Sequence, residues 1–333
     1  MRTTRIIDTA LDRSIALGYG NLGLAVRRSL PDWPADPPRM DGQVVIVTGA
    51  ASGLGLAAGQ GFAALGATVH AVARSQRRAE QAVAEIRRAV PNADLRPVAC
   101  DVSSPRELET MAGSFADPGQ RLDVLVNNAG VMPDQRARSI DGHELMFATH
   151  VLGPFALTAL LSEVLRRSAP SRVINVSSGG MYSQSLPTED FQSEASTYSP
   201  TRFYARTKRE QVVITELWAE RLRGSGVVVH AMHPGWADTQ GVRVSLPRFS
   251  AITKPIIRTS EQGADTIVWL GAAAEPLQST GEFWHDRRPR PTHYWLRASR
   301  ETEPARQQLW KYCQSLLDRD LDPSDPTATP SDV

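Results

Sequence analysis

The sequence predicts a doubly wound α/β fold, because short runs of β-branched residues alternate along the chain with longer amphipathic segments. The short runs are almost continuously apolar, as expected of parallel strands that are covered on both faces. Strand–helix–strand units with right-handed crossovers then build one mostly parallel sheet flanked by helices, the Rossmann architecture. The 333 residues suffice for a single such domain with a sizeable core and an N-terminal arm.

The predicted strands and helices follow one another in alternation. Six strands are predicted at residues 44–48, 68–73, 95–99, 124–127, 172–176 and 227–232. Six helices are predicted at residues 54–65, 76–89, 105–115, 142–167, 203–223 and 260–273. Neighbouring parallel strands need crossovers of this kind, which the helices supply.

The chain is expected to divide into an arm, an α/β domain, a C-terminal helix and a disordered tail, at residues 1–40, 41–300, 301–317 and 318–333. The arm has a predicted amphipathic helix at 6–15 and a proline-rich linker at 31–38. Within the domain, the polar connection 184–202 is too long for an ordinary loop and is a candidate substrate lid. The tail is rich in Asp, Pro, Ser and Thr, a composition typical of disorder.

Composition and charge exclude several classes of protein. With 37 basic and 36 acidic residues the formal net charge is +1, so nothing draws the chain to nucleic acid. Two cysteines cannot make a disulfide framework, which fits a reducing compartment. No window reaches the ~20 apolar residues of a membrane span, and Asp8, Asp12 and Arg13 interrupt the apolar run that a secretory signal needs. We therefore expect a soluble, cytoplasmic protein.

A glycine-rich run stands directly between the first predicted strand and the first predicted helix. It reads Thr48-Gly49-Ala50-Ala51-Ser52-Gly53-Leu54-Gly55. Its glycines allow a tight turn and a close backbone approach to a pyrophosphate, which then faces the N–H groups at the start of the helix. A glycine trio alone also suits a purely structural turn, but the flanking strand and helix favour dinucleotide binding. The expected contacts are Gly49, Ser52, Gly53, Leu54 and Gly55.

The residue after the second predicted strand indicates which dinucleotide is bound. An acidic residue about 20 positions beyond the glycines would hold the ribose 2′-hydroxyl of NAD. The sequence has Arg74 there, and a guanidinium suits the 2′-phosphate of NADP through charge-assisted hydrogen bonds. This favours NADP(H) over NAD(H). The alternative is a solvated surface arginine, since Arg77 and Arg78 follow closely.

Three further motifs follow the glycine run in order. They are Asn127-Asn128-Ala129-Gly130, Ser177-Ser178 and Tyr204-Ala205-Arg206-Thr207-Lys208. Together the four motifs resemble those of the short-chain dehydrogenase/reductase family, over roughly residues 41–296. Runs such as Ser177-Ser178-Gly179-Gly180-Met181 and Met232-His233-Pro234-Gly235-Trp236 are similar to the family's member-twelve type, a branch near the retinol-dehydrogenase-like enzymes. The resemblance implies an oxidoreductase that uses a nicotinamide cofactor.

The catalytic chemistry centres on Tyr204 and Lys208, which share one face of a predicted helix because they are four residues apart. A phenol with a pKa near ~10 is a poor general base at neutral pH, and an ammonium beside it favours the phenolate. The resemblance implies that Tyr204 exchanges a proton with the substrate oxygen, that Lys208 also holds the nicotinamide ribose, and that Ser178, rather than Ser177, hydrogen-bonds that oxygen. The alternatives are a packed aromatic with a surface cation, and serines that form a turn.

Further cofactor contacts are implied by the resemblance. Asp101 would lie by the adenine, and the loop after the sixth strand would lie on the nicotinamide side. The residues at these motifs are Asp101, Val102, Asn128, Ala129, Gly130, Pro234, Gly235 and Thr239. Asp101 could equally be a turn residue, and Pro234-Gly235 a rigid turn. No metal is expected in the site.

One position departs from the family pattern. His150 stands where the family commonly has an asparagine whose backbone holds a water of the proton relay. If the backbone carbonyl binds that water, the side chain matters little; otherwise an imidazole could itself exchange protons near neutral pH. A histidine at an apolar helical turn is also commonly structural. We treat His150 as a candidate catalytic residue.

The predicted function is transfer of a hydride between NADP(H) and an apolar alcohol or carbonyl compound. An apolar substrate is expected because most of the residues assigned to the pocket have large apolar or aromatic side chains. They are Met181, Trp236, Phe283, Trp284 and His293. Alternatives are a scaffold or redox sensor that binds NADP(H) with little turnover, and a methyltransferase using S-adenosylmethionine, which has no need of Tyr204 and Lys208. The resemblance implies a homodimer through the two long helices beside the site. The arm is expected to pack on the protein rather than on a membrane.

Overall fold

The computed structural model describes residues 2–14, 18–237, 256–294 and 300–322, and its centre is an eight-stranded sheet. The strands are β1 (Val44–Thr48), β2 (Thr68–Ala73), β3 (Leu95–Ala99), β4 (Val124–Asn127), β5 (Ser171–Val176), β6 (Val227–Met232), β7 (Phe283–His285) and β8 (Arg288–Arg290). Their spatial order is β3-β2-β1-β4-β5-β6-β7-β8, and every neighbouring pair is parallel except β7 with β8. The chain order reverses between β1 and β4, the switch point at which doubly wound sheets bind ligands. The predicted fold class is confirmed.

The six predicted strands are all present, and β5 begins one residue earlier than expected. The central strands are mostly apolar because helices cover both faces: within β1, Val45 and Val47 face one core cluster and Ile46 faces the other. The edge strand β3 is partly exposed and carries Arg96. Strands β7 and β8 were not predicted. Each has three residues, too few for a periodic signal, and β8 carries Arg288 and Arg290.

Helices form a layer on each face of the sheet. They are α1 (Arg2–Arg13), α2 (Asn21–Arg28), α3 (Gly53–Ala64), α4 (Gln76–Ala89), α5 (Pro105–Gly113), α6 (Leu145–Phe147), α7 (Gly153–Leu160), α8 (Ser162–Arg167), α9 (Pro200–Arg221), α10 (Ser260–Ala272) and α11 (Glu303–Asp320). α3, α4 and α10 pack on one face through residues such as Phe62, Ile86 and Leu270. α5, α7, α9 and α11 pack on the other, through residues such as Phe155 and Leu217.

The prediction of one continuous helix at 142–167 is wrong. The structure divides this segment into α6, a π-helical turn at Ala148–Leu152, α7 and α8. Pro154 accounts for the first break, because it has no N–H to donate to the carbonyl of His150 four residues earlier. Gly153 instead donates its N–H to the carbonyl of Ala148. The carbonyl of His150 is thereby left out of the regular α-helical ladder.

The C-terminal helix α11 lies across α7 and α9. Trp310 packs edge-on against Phe155 of α7 and against Trp218 of α9, with ring centroids 4.8 Å apart in each pair. A helix of the same chain therefore covers part of the two helices through which the resemblance implies a homodimer. That homodimer stays a prediction.

Two boundary predictions change at the ends of the chain. Residues 318–320, expected in a disordered tail, belong to α11, while 323–333 lie outside the described residues. The arm helix expected at 6–15 runs over Arg2–Arg13, and α2 was not predicted. Within the described ranges, no helix is long and apolar enough to cross a membrane.

The arm packs on the α/β domain through buried ion pairs. Asp8 of α1 binds Arg27 of α2, with an N–O distance of 2.9 Å, and Arg290 of β8 at 2.8 Å. Arg27 also binds Asp286 at 2.6 Å. These groups are almost fully shielded from water, so removing one partner would leave an unpaired buried charge. The aspartates that break the apolar pattern of the arm are thus its attachment points.

Candidate active site

A cleft of about 810 Å³ opens at the carboxyl edge of the sheet, around the switch point between β1 and β4. It gathers nearly all the site residues predicted from the sequence. From the cofactor set these are Gly49, Ser52, Gly53, Leu54, Gly55, Arg74, Asp101, Val102, Asn128, Ala129, Gly130, Pro234 and Gly235, and from the catalytic set Ser178, Tyr204 and Lys208. Thr239 lies outside the described residues. His150 is fully buried and does not line the cleft.

The glycine turn is shaped to bring phosphates against the backbone. Gly49 has φ +67° and Gly53 has φ +55°, in the left-handed region that favours glycine. At Gly55 a Cβ atom would lie 2.3 Å from the carbonyl oxygen of Gly49 and 2.5 Å from the Asn128 side chain. Ser52 precedes α3 without a side-chain cap hydrogen bond, so the first N–H groups of α3 stay available to an anion. These residues fit a dinucleotide pyrophosphate.

Hydrogen bonds fasten the glycine turn to the end of β4. The Asn128 side chain donates to the carbonyl of Thr48 at 2.8 Å. The backbone N–H groups of Asn128 and Ala129 donate to the Thr48 hydroxyl at 2.9 and 3.1 Å. Asn127 donates its side-chain amide to Asn175 of β5 at 2.8 Å. The asparagines thus tie β4 to β5 and to the glycine turn.

The end of the cleft near β2 and β3 is lined by Arg74, Arg78 and Asp101. Both guanidinium groups line the cleft, and no carboxylate in the described part of the chain forms an ion pair with either, so both can meet a phosphate. The sequence alone gives Arg78 no role in binding and indicates only a solvated surface there. Asp101 also makes a turn, because one of its oxygens accepts hydrogen bonds from the N–H and the hydroxyl of Ser103, at 2.9 and 2.7 Å.

Ser178, Tyr204 and Lys208 meet where β5 ends against α9. Tyr204 and Lys208 lie one turn apart on α9, with the Lys208 ammonium 5.8 Å from the centre of the Tyr204 ring. Lys208 Nζ donates to the carbonyl of Val176 at 2.7 Å and to Gln211 at 3.1 Å. Two of its three N–H donors are therefore used within the protein, which leaves a third for a ligand hydroxyl.

Burial sets the charge states of this group. Lys208 is only 2% exposed, and burial lowers its pKa from 10.5 to about 7. Burial also raises the pKa of Tyr204, which a hydrogen bond with the Ser178 side chain partly opposes. In the protein by itself the phenol is thus protonated at neutral pH, although the sequence predicted that Lys208 would favour the phenolate. Ser177 donates its hydroxyl to the carbonyl of Lys208 at 2.9 Å, so Ser178 is the serine beside the phenol.

His150 uses both ring nitrogens inside the protein. Its Nε2 accepts the N–H of Val131 at 3.0 Å, so the proton is on Nδ1, which donates to the Thr207 hydroxyl at 2.8 Å. Thr207 in turn donates to the carbonyl of Tyr204 at 3.0 Å. Burial and the nearby Lys208 ammonium hold the pKa of His150 well below its usual range. The ring is neutral and linked through Thr207 to the backbone of Tyr204, an arrangement that favours the structural alternative over proton exchange by the imidazole.

Apolar residues beyond the cofactor and catalytic sets also line the cleft, together with polar ones such as Thr149 and Ser183. Among these apolar residues are Val131, Met132, Leu145, Trp236, Ala237 and Ile257. Only Trp236 of this set was predicted. Met132 stands two positions after Gly130, so reading that motif further along the loop would have found it. Leu145 and Ile257 carry no local signal, because the fold brings them to the cleft from distant segments.

Several residues predicted for the pocket lie elsewhere. Phe283 and Trp284 form part of β7, and Met181 is fully buried. Phe283 and Trp284 are core residues because the unpredicted strand β7 pairs with β6. Met181 packs in the same core cluster as Phe283. His293 pairs with Glu301 at 2.9 Å, outside the cleft.

The segment 184–202, predicted as a lid, is fastened to the loop after β4. Tyr198 donates its hydroxyl to the carbonyl of Pro133 at 2.5 Å. Arg136 donates to two backbone carbonyls of the same segment, at 2.8 Å each. Of the segment only Thr201, in the first turn of α9, lines the cleft. Its other residues therefore lie beside the cleft rather than over it.

Fold and site together define a class: an α/β protein that binds a dinucleotide at its switch point and carries a tyrosine–lysine pair in the same cleft. Residues 43–247 match the family model described as short chain dehydrogenase. The chain belongs to the short-chain dehydrogenase/reductase family, a family of oxidoreductases, as its motifs predicted. Membership sets aside the methyltransferase alternative.

The relatives fall near the branch expected from the sequence. The chain is 41% identical over 282 residues to dehydrogenase/reductase SDR family member 12 of Bos taurus, covering 84% of this chain and 88% of that protein. It is 33% identical over 283 residues to retinol dehydrogenase 12 of Homo sapiens, covering 84% and 87%.

Solved structures show the same fold. A putative uncharacterized protein from Mycobacterium paratuberculosis has a TM-score of 0.65 at 24% identity, covering 85% of this chain and 96% of that one. A putative NAD(P) dependent gluconate 5-dehydrogenase from Beutenbergia cavernae, with bound NADP, has a TM-score of 0.60 at 25% identity, covering 74% and 96%.

Proposed function

We propose that this protein is an NADP(H)-dependent oxidoreductase that interconverts an apolar alcohol and its carbonyl compound. The observation that carries the proposal is the meeting of Ser178, Tyr204 and Lys208 in the same cleft as the glycine turn. Reduction of a carbonyl group requires a bound dinucleotide that supplies the hydride and a nearby side chain that donates a proton to the oxygen.

The preference for NADP(H) rests on charge at the end of β2. Arg74 and Arg78 line the cleft and have no ion-pair partner within the described part of the chain, and no carboxylate takes the place that would hold a ribose 2′-hydroxyl. The B. cavernae protein, which has the same fold and was solved with bound NADP, gives further support.

When bound, the nicotinamide supplies or accepts the hydride, and the chain's own residues manage the oxygen and its proton. Tyr204 is protonated at rest, so in reduction it starts as the acid and gives its proton to the substrate oxygen. The Ser178 hydroxyl donates a hydrogen bond to the same oxygen and holds it near the phenol. In its protonated form Lys208, beside the ring, stabilises the phenolate left behind, and the phenolate in turn favours the protonated form of Lys208. The His150 carbonyl, for which Pro154 provides no donor, can hold a water that returns the proton.

The substrate class follows from the apolar residues that line the cleft. Met132, Leu145, Trp236 and Ile257 offer an apolar surface, which favours a substrate of matching character. The retinol dehydrogenases among the relatives bear the name of an apolar alcohol. We propose an alcohol or carbonyl compound with an extended apolar part.

Two proposals concern the whole molecule. A cytoplasmic location is supported by the two cysteines, Cys100 and Cys313, which are buried free thiols. A homodimer is proposed because the family resemblance implies it, although α11 covers part of α7 and α9.

Turnover of a panel of aliphatic and aromatic aldehydes with NADPH tests the proposed function. Tyr204→Phe, which removes only the proton donor, should abolish reduction while leaving NADPH binding intact. Tyr312→Phe on α11 is the matched control and should keep full activity. Tight NADPH binding without reduction of any aldehyde would replace this proposal with the scaffold or redox-sensor alternative.

A further inference from the structure

The arm reaches the active site between α1 and α2. There Tyr19 passes behind two loops whose residues line the cleft: the turn after β5 that carries Ser178, and the loop after β6 that carries Gly235 and Trp236. The Tyr19 carbonyl accepts the N–H of Trp236 at 2.8 Å. Tyr19 is itself only 3% exposed, so it supports the cleft wall without forming its surface.

The Tyr19 ring touches both loops. A Cβ atom at Gly179 would lie 2.7 Å from Cε2 of the ring, so the ring rests on the backbone of the residue after Ser178. The same ring packs against His233, with ring centroids 4.5 Å apart. His233 in turn holds the second loop, because its Nδ1 accepts the N–H of Gly235 at 3.2 Å. One aromatic side chain therefore separates the two strand-end loops.

A directional hydrogen-bond chain fixes the second loop from below. Burial lowers the pKa of both His233 and His285, so each ring is neutral, with one donor and one acceptor nitrogen. Since Nδ1 of His233 accepts from Gly235, its Nε2 donates to Nδ1 of His285 at 3.1 Å. Nε2 of His285 then faces a carboxylate oxygen of Asp286 at 3.2 Å.

Two buried arginines anchor the backbone on either side of Tyr19. Arg27 donates to the carbonyl of Gly18 at 2.7 Å, and Arg258 donates to the carbonyl of Gly20 at 3.1 Å. Both arginines bind Asp286, at 2.6 and 2.5 Å. The backbone that carries the ring is thus fixed on both sides of Tyr19. The position of the ring therefore determines the positions of the two loops.

We propose that Tyr19 is a positioning residue for hydride transfer, whose ring sets the separation between the turn that carries Ser178 and the loop on the nicotinamide side. This rests on the proposed function. The separation matters because the Ser178 hydroxyl and the nicotinamide must reach the same carbonyl group at once, and a displacement of ~1 Å can cost about 100-fold in rate.

Three variants test the proposal by steady-state kinetics. Tyr19→Ala removes the ring and should lower kcat/KM for the best carbonyl substrate by about tenfold or more, with the Kd for NADPH within about threefold. Tyr19→Phe keeps the ring and should stay within about twofold of wild type. Leu22→Ala, at an exposed arm residue, is the matched control and should change nothing. Unchanged kcat/KM in Tyr19→Ala would overturn the proposal.

Hydrogen exchange separates this proposal from the proposed function. In Tyr19→Ala the backbone amides of residues 178–182 and 233–237 should both exchange about tenfold faster, and in Leu22→Ala neither should. Unchanged exchange in either segment would overturn the proposal, whatever the rates. If wild-type protein reduces no carbonyl, the proposed function fails, and the positioning of the loops is still decided by exchange.

A compensating pair covers the case in which Tyr19→Ala does not fold. Gly179→Ala adds a methyl group that meets the Tyr19 ring at 2.7 Å, and it should lower kcat/KM by about tenfold. Combining it with Tyr19→Leu makes room for that methyl and should recover part of the loss. A double variant no better than Gly179→Ala would contradict contact between the ring and the turn.

Discussion

Lys208 gives the protein an unusual pH dependence of stability. Its pKa is about 7 in the fold and 10.5 as its ordinary value, because the folded protein buries the ammonium. Between these values the unfolded chain holds a proton that the folded chain lacks, so the free energy of unfolding rises with pH through that window. The slope reaches about 1.4 kcal/mol per pH unit. From about pH 7.5 to 9.5 the increment comes to about 2.5 kcal/mol.

Urea unfolding of wild type and Lys208→Met across this range isolates the increment. Ionisable groups common to both proteins cancel in the difference, so wild type should gain about 2.5 kcal/mol relative to the variant. Tyr204→Phe keeps Lys208 in place and should show the wild-type increment. Parallel profiles for wild type and Lys208→Met would refute the reasoning, because they would mean that Lys208 stays charged when folded.

Three further variants test the cofactor end, the histidine and the C-terminal helix. Arg74→Asp should weaken NADPH binding about 10- to 100-fold and NADH binding by less than about threefold, since only NADPH carries a ribose 2′-phosphate. Fluorescence titration measures both affinities, and Arg77→Asp is the control. Equal losses for the two cofactors would contradict this prediction. His150→Asn should leave NADPH affinity and the shape of the pH–rate profile unchanged, because the buried ring is neutral. If the variant loses an ionisation near neutral pH from that profile, His150 exchanges protons during turnover. Trp310→Ala should lower the free energy of unfolding by about 3 kcal/mol in urea titrations, and a change below about 1 kcal/mol would show that α11 is not part of the core.

The sequence predicted the central strands and the cofactor turn well because both depend on local pattern. Parallel strands covered on two faces are continuously apolar, and the glycines from Gly49 to Gly55 stand between a strand and a helix. Most of the predicted site residues line one cleft because the ends of parallel strands meet at one edge of the sheet.

What the sequence could not predict depends on contacts between distant segments. Asp8 looks like a surface charge until the fold brings Arg27 and Arg290 to it. The burial that raises the pKa of Tyr204 and lowers that of Lys208 is equally a property of the whole fold. The break at the π-helical turn had a local signal, Pro154, which the apolar run around it concealed.

The most direct measurement of the proposed chemistry follows the hydrogen atom that moves from nicotinamide C4 to the carbonyl carbon. NADPH that carries deuterium at the transferred position of nicotinamide C4 is incubated with the protein and the best aldehyde of the panel, and the alcohol is analysed by mass spectrometry. The account predicts one deuterium on the alcohol carbon, formed by wild type and not by Tyr204→Phe. Unlabelled alcohol, or labelled alcohol formed equally fast by both proteins, would contradict it.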